Sequence, residues 1–346
     1  MSFRAIEWRS EAGILRLIDQ KVLPSETRYQ ELTRVEEVAE AIRDMTVRGA
    51  PAIGVAAAFG ILMASRGRDG DDRRRALESA DALLRASRPT AVNLFWALDR
   101  LKAVWNRPEA TGPEIEAEVL AIEAEDVAVN RAISKHALTL CPQEVTFFHH
   151  CNTGSLATVD LGTALGVIRS AHEAGHKVMA YLDETRPRLQ GAKLSSFELM
   201  QYGVPHAIVV DGASAHVMRT RKVDMAIVGC DRVAANGDTA NKIGTYNLAL
   251  AAQDNGVPFY VAAPMSTIDF DTPSGDDIEI EERDAGEITR IGDCDIAPPG
   301  APAFNPAFDV TPNRLISGII TEYGIARAPF GESLAALRSA IGKAPV

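Results

Sequence analysis

The chain has 346 residues, of which 46% are apolar and 24% charged, and its formal net charge is -11. This length exceeds one typical domain, so it predicts two domains that can bury their cores without disulfides. The acidic balance excludes a general nucleic-acid or anionic-membrane surface, because both partners require a basic face, but it allows a local cationic pocket for one phosphate.

Residues 1–130 are predicted to form a mainly helical N-terminal domain with short strands. Residues 13–23 have β character, with a turn at Asp19-Gln20. Apolar residues then recur at helical spacing. The predicted helices are 32–45, 52–64, 74–86, 90–105 and a long amphipathic helix at 114–140.

Residues 131–346 are predicted to form an α/β domain, because short apolar runs alternate with helical patterns. The predicted strands are 145–149, 177–182, 206–210, 225–228 and 259–262, and the predicted helices are 161–174, 191–202, 213–218 and 245–255. Continuous apolar strands of this kind indicate a parallel, doubly wound sheet with both faces covered. Residues 272–312, which are Pro-rich and acidic, are predicted to be a surface excursion, and residues 316–322 a last strand or helix.

The four cysteines lie far apart, and none has the CxxC or Cys/His spacing of a zinc site. The first ten residues lack the apolar stretch of a secretory signal. The longest apolar run, residues 50–64, is shorter than the roughly 18 residues of a membrane span. We therefore expect a reduced, cytoplasmic protein that binds no metal and does not enter a membrane.

Cys151 follows the predicted strand 145–149 and precedes Gly154 and Ser155, whose N–H groups could form a cradle. A thiol near a helix N-terminus or a cation has a lowered pKa and becomes reactive. The alternative is a buried structural cysteine. His149 and His150 alternate faces of the strand, so at most one of them points at a site.

Asp231 ends a second predicted strand, where it serves either as a catalytic acid or as a cap or ion-pair partner. Asn241 and Lys242 are predicted to begin a helix after the turn signal Asn236-Gly237-Asp238. A lysine and free N–H groups at a helix start favour a phosphate. An ordinary capped loop is the alternative.

Arg48, Gly49 and Ala50 precede the apolar helix 52–64, where an arginine fork and an open backbone suit an anion. Plain helix initiation also explains them. Arg88 stands at another predicted helix start, and Gln190 follows the strand 177–182. The dinucleotide fingerprint GxGxxG is missing after the first strand, which argues against NAD. Together these segments predict a phosphorylated small substrate.

Several long segments resemble the methylthioribose-1-phosphate isomerase family, and the resemblance covers nearly the whole chain. The segments are RGAPAIGVAAAFG (48–60), SRPTAVNLFWAL (87–98), HCNTGSLAT (150–158), ETRPRLQGAKL (184–194), CDRVAANGDTANKIGTYNLA (230–249), PFYVAAPMST (258–267) and NPAFDVTP (305–312). The resemblance implies a homodimer with a smaller N-terminal domain and a Rossmann-like C-terminal domain. It also implies conversion of 5-methylthioribose 1-phosphate to 5-methylthioribulose 1-phosphate in methionine salvage, without a metal or organic cofactor.

By the same resemblance, Cys151 and Asp231 are the catalytic cysteine and aspartate. The implied substrate-binding residues are Arg48, Gly49, Ala50, Arg88, Gln190, Asn241 and Lys242. Residues 195–198 and 211–218 depart from the usual family pattern, and so does His149. These departures leave the 5-substituent open, so 5-deoxyribose 1-phosphate and ribose 1,5-bisphosphate remain alternatives. Regulatory subunits of a translation-initiation exchange factor share the fold, and a non-catalytic role is a further alternative.

The implied reaction needs an acid, because the C1 phosphate ester prevents spontaneous ring opening. Asp231 is expected to protonate the ring oxygen from an apolar, desolvated pocket. Raising a carboxyl pKa by about 3 units in this way costs about 4 kcal/mol. Cys151 is expected either to remove a proton from C2 or to stabilise a hydride shift.

Overall fold

The computed structural model describes residues 3–89 and 91–339. The chain divides into two compact units. The first comprises Met1–Asn130 and Thr153–Gly162, and the second comprises Arg131–Asn152 and Thr163–Val346. Within the described residues, no helix is long and apolar enough to cross a membrane.

The first unit begins with a three-stranded antiparallel sheet in the order β1-β2-β3. Its strands are β1 (Ile6–Arg9), β2 (Ile14–Ile18) and β3 (Tyr29–Leu32). The turn expected at Asp19-Gln20 is confirmed, because β2 ends at Ile18 and the chain turns from Gln20 before it returns in β3, which is antiparallel to β2. Strand β1 was missed because its charged residues face outward, where Glu7 accepts a 2.9 Å hydrogen bond from Arg16.

Helices make up the rest of the first unit. They are α1 (Val35–Arg43), α2 (Ala50–Ser65), α3 (Gly70–Arg85), α4 (Val92–Trp105) and α5 (Gly112–Leu138), which continues into the second unit. Helix α2 is apolar on all sides and buried from Ala52 to Ser65, so it is the central helix, against which α1, α3 and α4 pack. The predicted helices are confirmed to within a few residues at most ends, although Thr90 lies outside the described residues.

The second unit opens with alternating strands and helices. They are β4 (Glu144–His149), α6 (Ala164–Glu173), β5 (Lys177–Asp183), a π-helical turn (Gly191–Ser195), α7 (Ser196–Gln201), β6 (His206–Val209), α8 (Ser214–Thr220) and β7 (Met225–Val228). Next come β8 (Arg232–Ala234), β9 (Thr239–Lys242), α9 (Thr245–Asp254), β10 (Phe259–Ala262) and β11 (Ile268–Asp269). The last elements are α10 (Gly286–Thr289), β12 (Arg290–Ile291), β13 (Cys294–Asp295), β14 (Phe308–Thr311), β15 (Gly318–Thr321), β16 (Gly324–Ala326) and α11 (Phe330–Arg338).

Seven strands of the second unit form one sheet in the order β16-β15-β10-β7-β4-β5-β6. All neighbours are parallel except β15 and β16. Strands β7, β10 and β15 are buried along their whole length, which explains their uninterrupted apolar sequences. Numbered along the chain, the six parallel strands have the order 3-2-1-4-5-6 of a Rossmann-like sheet, so the predicted α/β fold is confirmed.

A smaller sheet in the order β11-β8-β9-β14 corrects two predictions. Asn241 and Lys242 lie on β9 rather than at a helix start, and α9 begins only at Thr245, after Gly244. Strand β9 is buried and paired on both sides, and this tertiary pairing overrides the local helical pattern. The stretch 272–312 is also not a plain surface excursion, because it contains β14, which pairs with β9.

Candidate functional site

The point where the strand order reverses lies between β4 and β7, and two predicted site residues follow these strands. Cys151 comes two residues after the end of β4, and Asp231 comes three residues after the end of β7. Gln190 follows β5, the neighbour of β4. Open α/β sheets bind ligands at this crevice, outside the carboxyl ends of the strands. The fold therefore brings three predicted residues to the expected ligand-binding edge of one sheet.

Cys151 is buried and its backbone has a φ of 70°. A residue other than glycine in this left-handed region costs about 1–3 kcal/mol, so the surrounding structure must hold it there. Its N–H donates a 2.9 Å hydrogen bond to the Thr185 hydroxyl. Its carbonyl accepts one of 2.7 Å from the Ser195 hydroxyl. A cysteine that only fills space needs no such conformation, which favours the functional interpretation of Cys151.

The π-helical turn that follows β5 carries both Ser195 and, just before it, Gln190. The turn approaches β5 closely, because a Cβ added at Gly191 would lie 1.8 Å from the Asp183 carbonyl oxygen. Turns of this type occur frequently at functional sites. Gln190 is 7% exposed, and its Oε1 is buried without a hydrogen-bond partner. Such an orphaned acceptor costs about 1–3 kcal/mol, so Gln190 is suited to a ligand that donates a hydrogen bond.

His150 ties three strand ends together from a fully buried position. Its Nδ1 lies 2.8 Å from the Asp183 carboxylate, and its Nε2 donates to the Ile243 carbonyl over 2.9 Å. Burial lowers the pKa of His150, but the bond to Asp183 and the charges of Asp183 and Asp211 outweigh it, so this pKa is raised. The ring also leaves no room for a side chain at Gly244. These contacts give His150 a structural role.

His150, Asp183 and Asp211 offer possible metal ligands within 4.8 Å of one another. Both ring nitrogens of His150, however, already take part in hydrogen bonds. The two Asp211 oxygens accept the backbone N–H groups of Thr185 and Arg186, at 2.7 Å and 2.6 Å. These bonds show the cluster to be a polar network that fixes the segment after β5.

His149 is also fully buried, and its Nδ1 bonds the Ile227 carbonyl at 2.8 Å. Burial lowers the pKa of His149 to about 4. The neutral ring therefore stabilises the fold fully above pH 6.5, and this contribution is lost as the pH falls from 6.5 towards 4.

We expect His149→Asn to remove this part of the pH dependence, because an amide donor replaces Nδ1 and does not titrate. Between pH 7 and pH 4, the wild type should lose about 3 kcal/mol of unfolding free energy relative to the variant. Urea unfolding of both proteins across this range measures the difference. A constant difference across the range would contradict the buried neutral histidine.

Lys242 is a buried cation on β9, with 7% of its surface exposed. Its Nζ lies 4.3 Å from the centre of the Phe308 ring and donates a 2.7 Å hydrogen bond to the Ala307 carbonyl. Burial and the charge of Arg283 lower the pKa of Lys242, whereas Cys151 and Asp231 favour its charged form. Among the described residues, only Ala307 accepts a hydrogen bond from this ammonium, so two N–H groups remain for an anionic ligand.

Asn241 and Asp231 lie on either side of the β8–β9 hairpin. Asn241 is buried and donates to the Thr245 hydroxyl over 2.9 Å. The Asp231 N–H bonds the Ala240 carbonyl at 2.9 Å, but its side chain is exposed. The carboxyl therefore does not lie in the apolar pocket that we expected, because Asp231 is in a short surface connection. Arg232 is turned toward Asp269, 3.7 Å away.

Four predicted residues, Arg48, Gly49, Ala50 and Arg88, belong to the first unit. Gly49 caps α2 with a φ of 95°, and a Cβ there would lie 2.5 Å from Ala157 atoms. The Ala157 carbonyl accepts the Ala52 N–H at 3.2 Å. Arg48 and Arg88 are half-buried. The glycine is therefore required by the close approach of the 153–162 segment to the start of α2.

Gly49→Ala should lower the free energy of unfolding by about 3 kcal/mol or more, since it adds a backbone clash to an unfavourable φ. Gly67→Ala is the matched control, because Gly67 has a φ of 69° and no atom within 4 Å of an added Cβ. The control should lose only about 1–2 kcal/mol. Chemical unfolding of both variants measures the difference, and equal losses would contradict the steric argument.

Thr185 and Ser195, which contact Cys151, were not singled out from the sequence. Their hydroxyls bond the backbone of Cys151, which has a positive φ. A positive φ at a residue such as cysteine is uncommon and cannot be predicted from the neighbouring sequence. The only available signal was their position in the segment that follows a strand of the sheet.

Comparison with known proteins identifies the family. Residues 46–328 match the model of the initiation factor 2 subunit family, and the chain belongs to this family. It is 59% identical over 338 residues to methylthioribose-1-phosphate isomerase 2 of Pseudothermotoga lettingae, covering 96% of this chain and 97% of that protein. It is 56% identical over 339 residues to methylthioribose-1-phosphate isomerase of a Synechococcus strain, with the same coverage. The resemblance inferred from the motifs is thus confirmed.

Two solved structures are similar over almost the whole chain. The 5-methylthioribose 1-phosphate isomerase of Pyrococcus horikoshii has a TM-score of 0.92 and 44% identity, with 97% of this chain and 96% of that chain covered. The translation initiation factor eIF-2B subunit delta of A. fulgidus has a TM-score of 0.89 and 38% identity, with 98% and 100% covered. The fold is therefore shared by proteins named as enzymes and as initiation factor subunits.

Proposed function

We propose that this protein is an aldose–ketose isomerase that converts 5-methylthioribose 1-phosphate to 5-methylthioribulose 1-phosphate in methionine salvage. The observation that carries the proposal is the 59% identity, over nearly the full length of both chains, to a protein named as this isomerase. The second unit supports it chemically, because Cys151 and Asp231 follow the two strands at which the strand order reverses, and both favour the charged form of the buried Lys242. A thiol, a carboxyl and a buried cation are the groups that an isomerisation of a sugar phosphate needs.

Asp231 acts in this proposal as the acid that protonates the ring oxygen while the bond between C1 and the ring oxygen breaks. Its side chain is exposed, so the bound sugar itself must cover it and favour its protonated form. Lys242 opposes protonation of Asp231 through its positive charge. Binding of the phosphate to the Lys242 ammonium offsets that charge, which makes substrate binding a condition for the acid role.

Cys151 assists the transfer of hydrogen from C2 to C1. It acts either as a base toward C2, giving an enediolate-type intermediate, or as a group that stabilises a direct hydride shift from C2 to C1. In the hydride route, the Asp231 carboxylate formed on ring opening takes the proton of the C2 hydroxyl as C2 becomes a carbonyl. Turnover in heavy water separates the two routes. Substantial deuterium at C1 of the product would count against a direct hydride shift.

Substrate binding is assigned by the resemblance together with the local contacts. Lys242 and Asn241 bind the phosphorylated sugar, and the unpartnered Gln190 Oε1 accepts a hydrogen bond from a sugar hydroxyl. Arg48, Gly49, Ala50 and Arg88 remain predicted substrate contacts of the first unit. The isomerisation needs no nucleic acid or membrane partner.

An assay of the purified protein tests the function. We expect turnover of 5-methylthioribose 1-phosphate to exceed that of 5-deoxyribose 1-phosphate and of ribose 1,5-bisphosphate. Preference for either of the latter would assign a different pentose 1-phosphate to the same site. If none of the three reacts, the isomerase proposal fails. A non-catalytic role as a regulatory subunit would then follow from the likeness to eIF-2B subunit delta.

We also propose that the protein acts as a homodimer in the cytoplasm. Strand β6 is an edge of the large sheet, and nearby side chains expose apolar surface, at 71% for Met200, 48% for Ile208 and 60% for Val210. The four cysteines are free, which suits a reducing compartment. Analytical ultracentrifugation tests the dimer, and a monomer at micromolar concentration would contradict it.

A further inference from the structure

We propose that Thr185 and Ser195 are positioning residues that hold Cys151 in its left-handed conformation. Each hydroxyl bonds one of the two peptide groups that flank the Cys151 α-carbon. The inference rests on the proposed catalytic role of Cys151, and it adds the residues that aim its thiol.

The hydrogen on each hydroxyl can be assigned from its partners. Thr185 Oγ1 donates to the Asp183 carbonyl at 3.1 Å, so its lone pair accepts the Cys151 N–H. Ser195 Oγ donates to the Cys151 carbonyl, so its lone pair accepts the Asn152 side-chain amide at 3.1 Å. The two hydroxyls thus contact Cys151 in opposite senses, one as acceptor and one as donor.

Both hydroxyls are themselves held in place. Thr185 and Ser195 are fully buried. The Thr185 N–H is fixed by Asp211, and Thr185 has a φ of 64°, which is unusual for a β-branched residue. Asn152 is fixed in turn by Glu198, whose Oε1 accepts its amide at 2.7 Å. A buried network of hydrogen bonds of this kind keeps one geometry, so the loss of one bond should change the backbone conformation of Cys151.

Removal of either hydroxyl takes one hydrogen bond from a peptide group that flanks the Cys151 α-carbon, and the left-handed residue can then relax. The thiol moves, but Lys242, Asn241 and Gln190 keep their places. The chemical step should therefore suffer more than substrate binding, since a displacement of about 1 Å can cost about 100-fold in rate.

The experiment uses Thr185→Val and Ser195→Ala in the full chain, each with a matched control. Thr321→Val is the first control, because Thr321 is fully buried and also accepts one backbone N–H and donates to one carbonyl, away from Cys151. Ser196→Ala is the second control, because Ser196 is buried next in sequence and bonds His206. Thr185→Ser and Ser195→Thr keep the hydroxyls.

We expect kcat to fall by about 100-fold in the two test variants, with KM changed by less than about threefold. The rate and pH profile of Cys151 alkylation by iodoacetamide, followed by mass spectrometry of its peptide, should also change. The controls and the hydroxyl-keeping variants should match the wild type in both readouts. Thermal unfolding of every variant separates lost positioning from lost folding.

Wild-type kcat and alkylation in Ser195→Ala and Thr185→Val would overturn the positioning role. Equal losses of kcat in the test variants and their controls would also overturn it, because the effect would then be one of general stability. Should Thr185→Val not fold, Ser195→Ala alone decides the matter. Failure of the proposed function is recognised separately, because the wild type would then turn over none of the three sugar phosphates. Failure of the Cys151 role alone would leave near-normal turnover in Cys151→Ser.

Discussion

Replacing Cys151 with serine is expected to lower kcat by about 1,000-fold while the protein stays folded. The reason is that a hydroxyl cannot replace a thiol as base or as a soft stabilising group, and acid–base groups contribute about 10²–10⁴-fold. Serine has nearly the same shape as cysteine, so the backbone N–H of residue 151 should still donate to Thr185 and its carbonyl should still accept from Ser195. Steady-state kinetics with 5-methylthioribose 1-phosphate, together with circular dichroism, measures both effects.

Cys141→Ser is the matched control for this variant. Cys141 is half-buried, its thiol donates to the Ala137 carbonyl, and burial raises its pKa to about 11, so it is an inert thiol. Its replacement should leave kcat unchanged. Near-normal turnover in Cys151→Ser would show that Cys151 takes no part in the chemical step, whatever the activity of the control.

Replacing Asp231 with asparagine should lower kcat by a similar factor, about 10²–10⁴-fold, because an amide has no proton to give to the ring oxygen. The Asp231 side chain is exposed and its main-chain bond to Ala240 does not depend on the carboxyl, so the variant should still fold. The kinetics of Asp231→Asn and of the control Asp254→Asn, an exposed residue at the end of α9, measure the effect. Equal activities of the two variants would exclude Asp231 as the acid.

Much of the fold could be predicted from the sequence because it depends on local patterns. The apolar helix α2 and the buried strands β7 and β10 have compositions that leave few other structures open. The alternation of strands and helices after residue 144 also predicted the parallel sheet, and with it the edge at which Cys151 and Asp231 lie.

The remaining features depend on contacts between residues distant in the chain. Strand β14 pairs with β9 across about 65 residues of sequence, since Phe308 lies opposite Lys242, and this pairing places Ala307 and Phe308 against the Lys242 ammonium. The left-handed backbone of Cys151 likewise arises from Thr185 and Ser195, which lie 34 and 44 positions further on. Neither feature has a signature in neighbouring residues, so neither could be predicted.

The most direct test of the central claim is a crystal structure of Cys151→Ser with 5-methylthioribose 1-phosphate bound. We predict that the hydroxyl at position 151 lies about 3.5 Å from C1 or C2 of the sugar and that the Asp231 carboxyl is within hydrogen-bond reach of the ring oxygen. A sugar that contacts only one of these two groups, or that binds in a cavity open to neither, would contradict the proposed mechanism.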